Sequence, residues 1–222
     1  MKSTVRKFPL FCLLVMAATL VHAQEAPFYK DIEVFKQRDA ANPPVKQMIL
    51  FVGSSSFTKW TDLQDYFPGY PVLNRGFGGS SLPDVIHYAG DIIFPYQPKQ
   101  VVIYCGENDL AASDTVSAGT VVQRFKTLFS MIRNQLGNVP VVFVSLKPSP
   151  SRSRLFPKMI AVNAQVKAFL QKNKKTAFAD VYSKMLDANG EPVQALFLED
   201  NLHMNAKGYA IWKEVLQPLL VK

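Results

Sequence analysis

The run Met48-Ile49-Leu50-Phe51-Val52 ends abruptly in Gly53-Ser54-Ser55-Ser56, so a row of hydroxyls stands where a buried parallel strand stops. A serine on a strand-to-helix turn is presented outward as a nucleophile, its backbone N–H near a helix start that favours a developing anion. A hydroxyl in that position also serves as a plain helix cap. Far along the chain, Leu198-Glu199-Asp200-Asn201-Leu202-His203-Met204-Asn205 sets Asp200 three residues before His203. At that spacing a carboxylate can hold one ring nitrogen while the other faces outward. Ester hydrolysis needs a nucleophile, a base, a group that orients the base, and donors for the oxyanion. Ser55 fits the first place, His203 the second and Asp200 the third. The backbone N–H groups of Ser55 and Gly79 and the side-chain amide of Asn108 fit the last.

These residues have to be carried to one place, and the order of elements predicts how. A short helix over Phe28 to Ala40 ends at Asn42-Pro43-Pro44. Apolar strands over Gln47–Val52, Pro71–Asn74, Gln100–Cys105, Pro140–Leu146 and Thr176–Val181 alternate with helical segments. The helices are expected over Trp60–Tyr66, Leu82–Phe94, Ser117–Leu136, Leu155–Asn173 and Ala206–Leu220, with Asn205 capping the last. In the segment after the serines, Phe57, Trp60 and Leu63 share one helical face. Val121, Val122, Phe125, Leu128, Phe129 and Ile132 give the longest helix a 3.6-period apolar face. Alternation of this kind means a parallel sheet covered on both faces. In such sheets ligands bind beyond the carboxyl ends of the strands. Four clusters are expected on that edge: Ser55, Gly79, Asn108 and the Asp200/His203 pair.

Three glycines in Gly76-Phe77-Gly78-Gly79 mean a close approach of backbone to another segment or to a ligand. The dinucleotide spacing G-x-G-x-x-G from Gly76 is broken by Ser81, and the elbow G-x-S-x-G is broken by Phe57. His87, in mid-helix between Ile86 and Tyr88, is read as a packing or surface residue.

The chain has 222 residues, 48% of them hydrophobic, enough for one well-buried domain over residues 24–222. Residues 1–23 read as a cleavable secretory signal. Lys2, Arg6 and Lys7 precede an apolar stretch over Phe8–Val21, and Val21-His22-Ala23 offers a small residue to a peptidase. The expectation is export to the periplasm or the cell exterior, with no stable membrane insertion after cleavage. The signal takes His22 with it, so imidazole chemistry rests on His87 or His203. It also takes Cys12, leaving Cys105 alone and an internal disulfide impossible. Its three basic residues account for 3 of the formal +8, leaving a dispersed +5 without basic-aromatic repeats. That pattern argues against a nucleic-acid partner. Lys172, Lys174 and Lys175 read as the solvated end of a helix.

Gly53-Ser54-Ser55-Ser56, the Gly79 turn after Asn74-Arg75-Gly76, Gly106-Glu107-Asn108-Asp109 and Asp200-Asn201-Leu202-His203 resemble, in order, the four blocks of the SGNH/GDSL hydrolases. The resemblance runs from about Met48 to Tyr209. Ser54 stands where the first block usually has an acid, and Ser56 where it has leucine. Trp60, five residues after Ser55, aligns with a tryptophan common in the acetylhydrolase-like branch. The resemblance implies a three-layer α/β/α, flavodoxin-like fold with a parallel five-stranded sheet. It implies a serine esterase or acylhydrolase without metal or cofactor, and the same roles for Ser55, Gly79, Asn108, Asp200 and His203. A small-molecule or glycan ester is the expected substrate, with short acyl groups such as acetyl favoured. A lysophospholipase or thioesterase is the alternative within enzymes, and a non-catalytic carbohydrate-binding protein the alternative outside them. Arg152 and Arg154, on the polar loop after the fourth strand, are candidates for contact with an anionic substrate.

Overall fold

The structure, a computed structural model, describes residues 26–222; the proposed signal, its cleavage after Ala23 and the new terminus at Gln24 lie outside the described residues. Five parallel strands form one sheet: β1 (Ile49–Gly53), β2 (Val72–Gly76), β3 (Gln100–Tyr104), β4 (Val141–Val144) and β5 (Thr176–Ala179). Their order is β2-β1-β3-β4-β5, the flavodoxin-like arrangement. Every residue of β1, β3 and β4 is buried, as their unbroken apolar runs require. The chain moves outward from β1 to β2, then crosses back to β3 on the other side. The switch point therefore falls between β1 and β3, beyond whose carboxyl ends Ser55 and Asn108 follow.

Helices cover both faces. α7 (Ala118–Leu136) and α8 (Phe156–Gln171) pack against one of them, with Phe125 and Phe143 at 4.8 Å and Phe129 and Phe169 at 5.2 Å between ring centres. The residues that α7 buries are the six predicted by its period. On the other face, Phe51 and Tyr104 meet Phe57, Trp60 and the carboxyl-terminal helix α9 (Ala206–Leu216) through Trp212. Trp60 is fully buried and stacks on Tyr209 at 4.7 Å, so its part is to hold α9 against the segment that carries Ser55. The amino-terminal helix α1 (Tyr29–Ala41) is tied to β2 by a buried group in which Arg75 pairs with Asp39 and donates to Tyr96 Oη at 2.8 Å. Tyr96 in turn donates to Asp39 at 2.5 Å, and burial pushes its phenol up to about 12.

Two helical expectations are corrected. The segment after β1 folds as two single turns, α2 (Ser55–Thr58) and α3 (Leu63–Tyr66), with Trp60 between them. The cause is Asn74 of β2, whose Nδ2 donates to the carbonyls of Phe57 at 2.7 Å and Trp60 at 3.3 Å. Those carbonyls are the acceptors a continuous helix would use. Phe57, Trp60 and Leu63 are buried as expected, without a helix joining them. The segment expected over Leu82–Phe94 also breaks in two at Tyr88, into α4 (Leu82–His87) and α5 (Ala89–Ile92). His87 is exposed, Cys105 is buried, and Lys172, Lys174 and Lys175 face solvent. Among the described residues no helix is long and apolar enough to cross a membrane.

Candidate active site

Gly53 closes β1 at a φ of +144°, against the next strand over. A β-carbon there would stand 1.8 Å from the Tyr104 carbonyl oxygen, so only glycine fits. The same carbonyl accepts the Ser54 N–H at 3.1 Å, and the chain turns into α2 with Ser55 as its first residue. Of the three serines, Ser54 and Ser56 are buried. Only Ser55 meets the histidine: its Oγ lies 3.0 Å from His203 Nε2. The Tyr209 hydroxyl donates to the Ser56 carbonyl at 2.9 Å, pinning α2 to α9 from below.

His203 comes from a loop closed at its base by the bridge between Phe197 and Met204. Asp200 organises that loop. Its Oδ1 accepts the backbone N–H groups of Leu202 and His203, each at 2.9 Å, and its Oδ2 meets His203 Nδ1 at 2.6 Å. Desolvation acts to raise its pKa, but the hydrogen bonds from the His203 ring and from the two backbone groups prevail and hold the carboxyl well below the usual range. The His203 side chain is 14% exposed, while Asp200 is 45% exposed on its outer side. Asn205 caps α9 as expected, its side chain accepting from Lys207 at 2.9 Å and Gly208 at 3.3 Å.

The other rim of the site is made by the turn after β2 and by the start of α6 (Glu107–Ala112). The Gly53 carbonyl accepts the Phe77 N–H at 2.9 Å and the Ser80 hydroxyl at 3.1 Å, which fixes the turn beside Ser55. Gly79, exposed and at φ +84°, lies at its tip. Asn108 Nδ2 donates one hydrogen to the Ser80 carbonyl at 2.9 Å, and among the described residues its second amide hydrogen has no acceptor. Among the described residues, the backbone N–H groups of Ser55 and Gly79 have no acceptor within the chain. Asp109, fully buried, secures the rim from behind by accepting from Leu82 N at 2.9 Å and Arg124 Nη1 at 2.8 Å.

The structure thus brings Ser55, Asp200 and His203 into one hydrogen-bonded line and bonds the Gly79 turn and Asn108 into the same rim. It separates the two arginines. Arg152 Nε lies 4.0 Å from Glu107 Oε1, one residue from Asn108, whereas Arg154 pairs with Asp114 at 2.9 Å on the surface. Sequence reading missed Glu107 and Lys147, an ion pair at 2.8 Å that is almost fully buried behind the rim. The signal was available: opposite charges just beyond the apolar runs of β3 and β4, which are neighbours in the sheet. Among the described residues no cluster of three or more His, Cys, Asp or Glu is placed to hold a metal ion.

A family model described as the GDSL-like Lipase/Acylhydrolase family matches residues 49–211. A search among curated proteins returns no match. Solved structures similar to the chain include a GDSL-like lipase from Bacteroides thetaiotaomicron, at 18% identity and a TM-score of 0.73, covering 85% of this chain and 96% of that one. A member of the lipolytic G-D-S-L family from Veillonella parvula aligns at 17% identity and TM-score 0.61, covering 77% and 97%. A catalytic mutant of an acetylxylan esterase from Geobacillus stearothermophilus aligns at 14% identity and TM-score 0.63, covering 80% and 96%. At these identities the likeness establishes the fold.

Proposed function

Because the chain belongs to the GDSL-like lipase/acylhydrolase family, it is a carboxylic ester hydrolase, and we propose that it removes short acyl groups, acetyl first among them, with Ser55 as nucleophile. The observation that carries this reading is the unbroken line from Ser55 Oγ to His203 Nε2 at 3.0 Å and from His203 Nδ1 to Asp200 Oδ2 at 2.6 Å. His203 takes the hydroxyl proton as Ser55 attacks the ester carbonyl, and returns it to the departing alcohol. Asp200 fixes the tautomer with the proton on Nδ1 and stabilises the imidazolium that forms. A water then attacks the acyl-enzyme with His203 again as base, releasing the acid. The free N–H groups of Ser55 and Gly79 and the unused amide hydrogen of Asn108 hold the oxyanion in both steps.

The acetyl preference draws on the acetylxylan esterase among the similar folds, and with it comes a sugar as the alcohol half. Residues 1–23 support export, which would bring the enzyme to acylated glycans outside the cytoplasm. Arg152 stays close enough to the rim to meet an anionic substrate; Arg154 is engaged by Asp114. The test is hydrolysis of p-nitrophenyl esters from acetate to palmitate by the chain from Gln24, with Ser55→Ala beside it. A maximum at acetate that vanishes in the variant is expected. A maximum at long chains would move the substrate to lipids or thioesters. A wild-type chain that binds sugars, hydrolyses no ester and is not labelled at Ser55 by an organophosphonate would overturn the catalytic reading.

A further inference from the structure

Behind the rim lies a group of buried polar side chains that none of the steps above uses. Glu107, the first residue of α6, turns its carboxylate inward. Oε2 accepts the Tyr104 hydroxyl at 2.5 Å and Lys147 Nζ at 2.8 Å, and Oε1 accepts the Ser149 hydroxyl at 3.2 Å. Lys147 also donates to Tyr104 Oη at 3.3 Å. Tyr104 is 1% exposed, Lys147 2% and Ser149 0%, so no part of the group is a surface ion pair. Burial raises the Tyr104 phenol far above its ordinary value, with the Glu107 charge adding to the effect, so it stays a donor.

Through Tyr104 and Ser149, Glu107 reaches two other walls of the site. The Tyr104 carbonyl holds Ser54 N at 3.1 Å and crowds Gly53, which sets the turn that presents Ser55. Glu107 itself precedes Asn108 in the first turn of α6. The one hydrogen of the Ser149 hydroxyl is shared between Glu107 Oε1 and the Leu202 carbonyl at 3.4 Å, and Ser151 N donates to the Asn201 carbonyl at 3.0 Å. Both carbonyls are in the loop that carries His203. A buried ion pair of this kind contributes little to stability compared with apolar side chains of the same volume, because desolvation offsets the attraction. Its presence here therefore calls for a role other than stability.

Resting on the roles given above to Ser55, Asn108 and His203, we infer that Glu107, neutralised by Lys147, is a positioning residue. It sets the distance between the oxyanion donor Asn108 and the base His203 by joining the serine turn, the α6 start and the histidine loop through one carboxylate. Lys147 pairs with the buried carboxylate at 2.8 Å, so neither side chain is buried without a partner. Ser149 ties the carboxylate to the histidine loop through a hydrogen shared with the Leu202 carbonyl, beside the bond from Ser151 N to the Asn201 carbonyl.

The test replaces the pair together, Glu107→Gln with Lys147→Met, so that neither charge is left buried alone and the fold is kept. Turnover of p-nitrophenyl acetate is measured for the wild type, the pair variant, Asn108→Ala and the triple variant, with thermal midpoints recorded for all. The pair variant is expected to lose up to about 10²-fold in kcat with KM held within about twofold, because geometry is disturbed and binding is not. In the Asn108→Ala background the same replacement is expected to cost distinctly less, since the donor it positions is gone. Wild-type kcat in the folded pair variant would overturn the role. So would an equal loss in both backgrounds, which is what a purely structural part would give. If the pair variant does not fold, Ser149→Ala carries the test: reduced kcat at unchanged KM supports the link to Leu202, and wild-type kcat sinks it. A Ser55-dependent wild-type activity in the same assay keeps the esterase reading standing whichever way the positioning result falls.

Discussion

The Asn108 side-chain amide donates to the Ser80 carbonyl at 2.9 Å, and this one bond decides which of its hydrogens is left for chemistry. With one hydrogen taken, the amide is held in place, and the other is left for a ligand. A donor fixed before the substrate arrives costs no reorganisation when charge develops on the carbonyl oxygen. Asn108→Ala is therefore expected to lower kcat by about 10²–10³-fold with little change in KM. Steady-state kinetics on an acetyl aryl ester check it, and a change confined to KM would place Asn108 in ground-state binding instead.

Gly53 carries the tightest backbone contact of the site. Its φ of +144° excludes ordinary side chains, and a β-carbon would meet the Tyr104 oxygen at 1.8 Å, backbone against backbone with nothing flexible to give way. Gly53→Ala is expected to push β1 and β3 apart at their carboxyl ends. The result is either an insoluble chain or a folded one with a clearly lowered urea midpoint and no turnover. A soluble Ala variant with wild-type midpoint and activity would contradict this account of the serine turn.

Asp200 gives a pH signature whose sign follows from its lowered pKa. A carboxyl that binds its proton more weakly in the folded chain than in the unfolded one adds stability above the unfolded value and loses it as pH falls through the folded one. The difference in urea midpoint between wild type and Asp200→Asn is thus expected not to shrink between neutral pH and about pH 5, and to shrink below an ordinary aspartate pKa of about 3.9. A difference already shrinking between pH 7 and pH 5 would contradict the hydrogen-bonded loop. Turnover of the same variant is expected to fall by up to about 10⁴-fold, since the amide cannot stabilise an imidazolium.

How much of this was legible in the sequence depended on the range of the interaction. The strands read clearly because β1, β3 and β4 are buried on both faces and need no alternation. Asp200 and His203 read clearly because their pairing is local, within one loop. The helix expected after the serines failed because its acceptors are captured by Asn74, which lies 17 residues from Phe57 in sequence. Glu107 and Lys147 were passed over for the same reason: 40 residues separate them, and only the order of β3 and β4 in the sheet brings them together. Arg152 and Arg154 looked alike from the loop they share, and they are distinguished by their partners, Glu107 near the first and Asp114 at the second.

The tie between α1 and the sheet offers a last expectation, away from the chemistry. Arg75 is nearly buried, with its side chain 7% exposed, and it lies against the rings of Phe35 and Tyr96 at 5.1 Å and 4.9 Å. Its charge is answered by Asp39, which also accepts the Tyr96 hydroxyl. Asp39→Ala removes both acceptor oxygens at once, leaving a guanidinium short of its carboxylate and a buried phenol without an acceptor. Hydrogen bonds to charged groups contribute roughly 1.5–3 kcal/mol, and Asp39 is 22% exposed, so water recovers part of the loss. A destabilisation of about 2–3 kcal/mol is expected by urea unfolding. Asp39→Asn, which keeps one oxygen for the phenol, is expected to lose about half as much. Because Arg75 leads through Gly76 into the Gly79 turn, the two variants also separate anchoring from catalysis. Turnover per folded molecule should stay within about twofold of wild type in both, and a collapse of kcat in folded Asp39→Asn would mean that α1 helps to set the oxyanion turn.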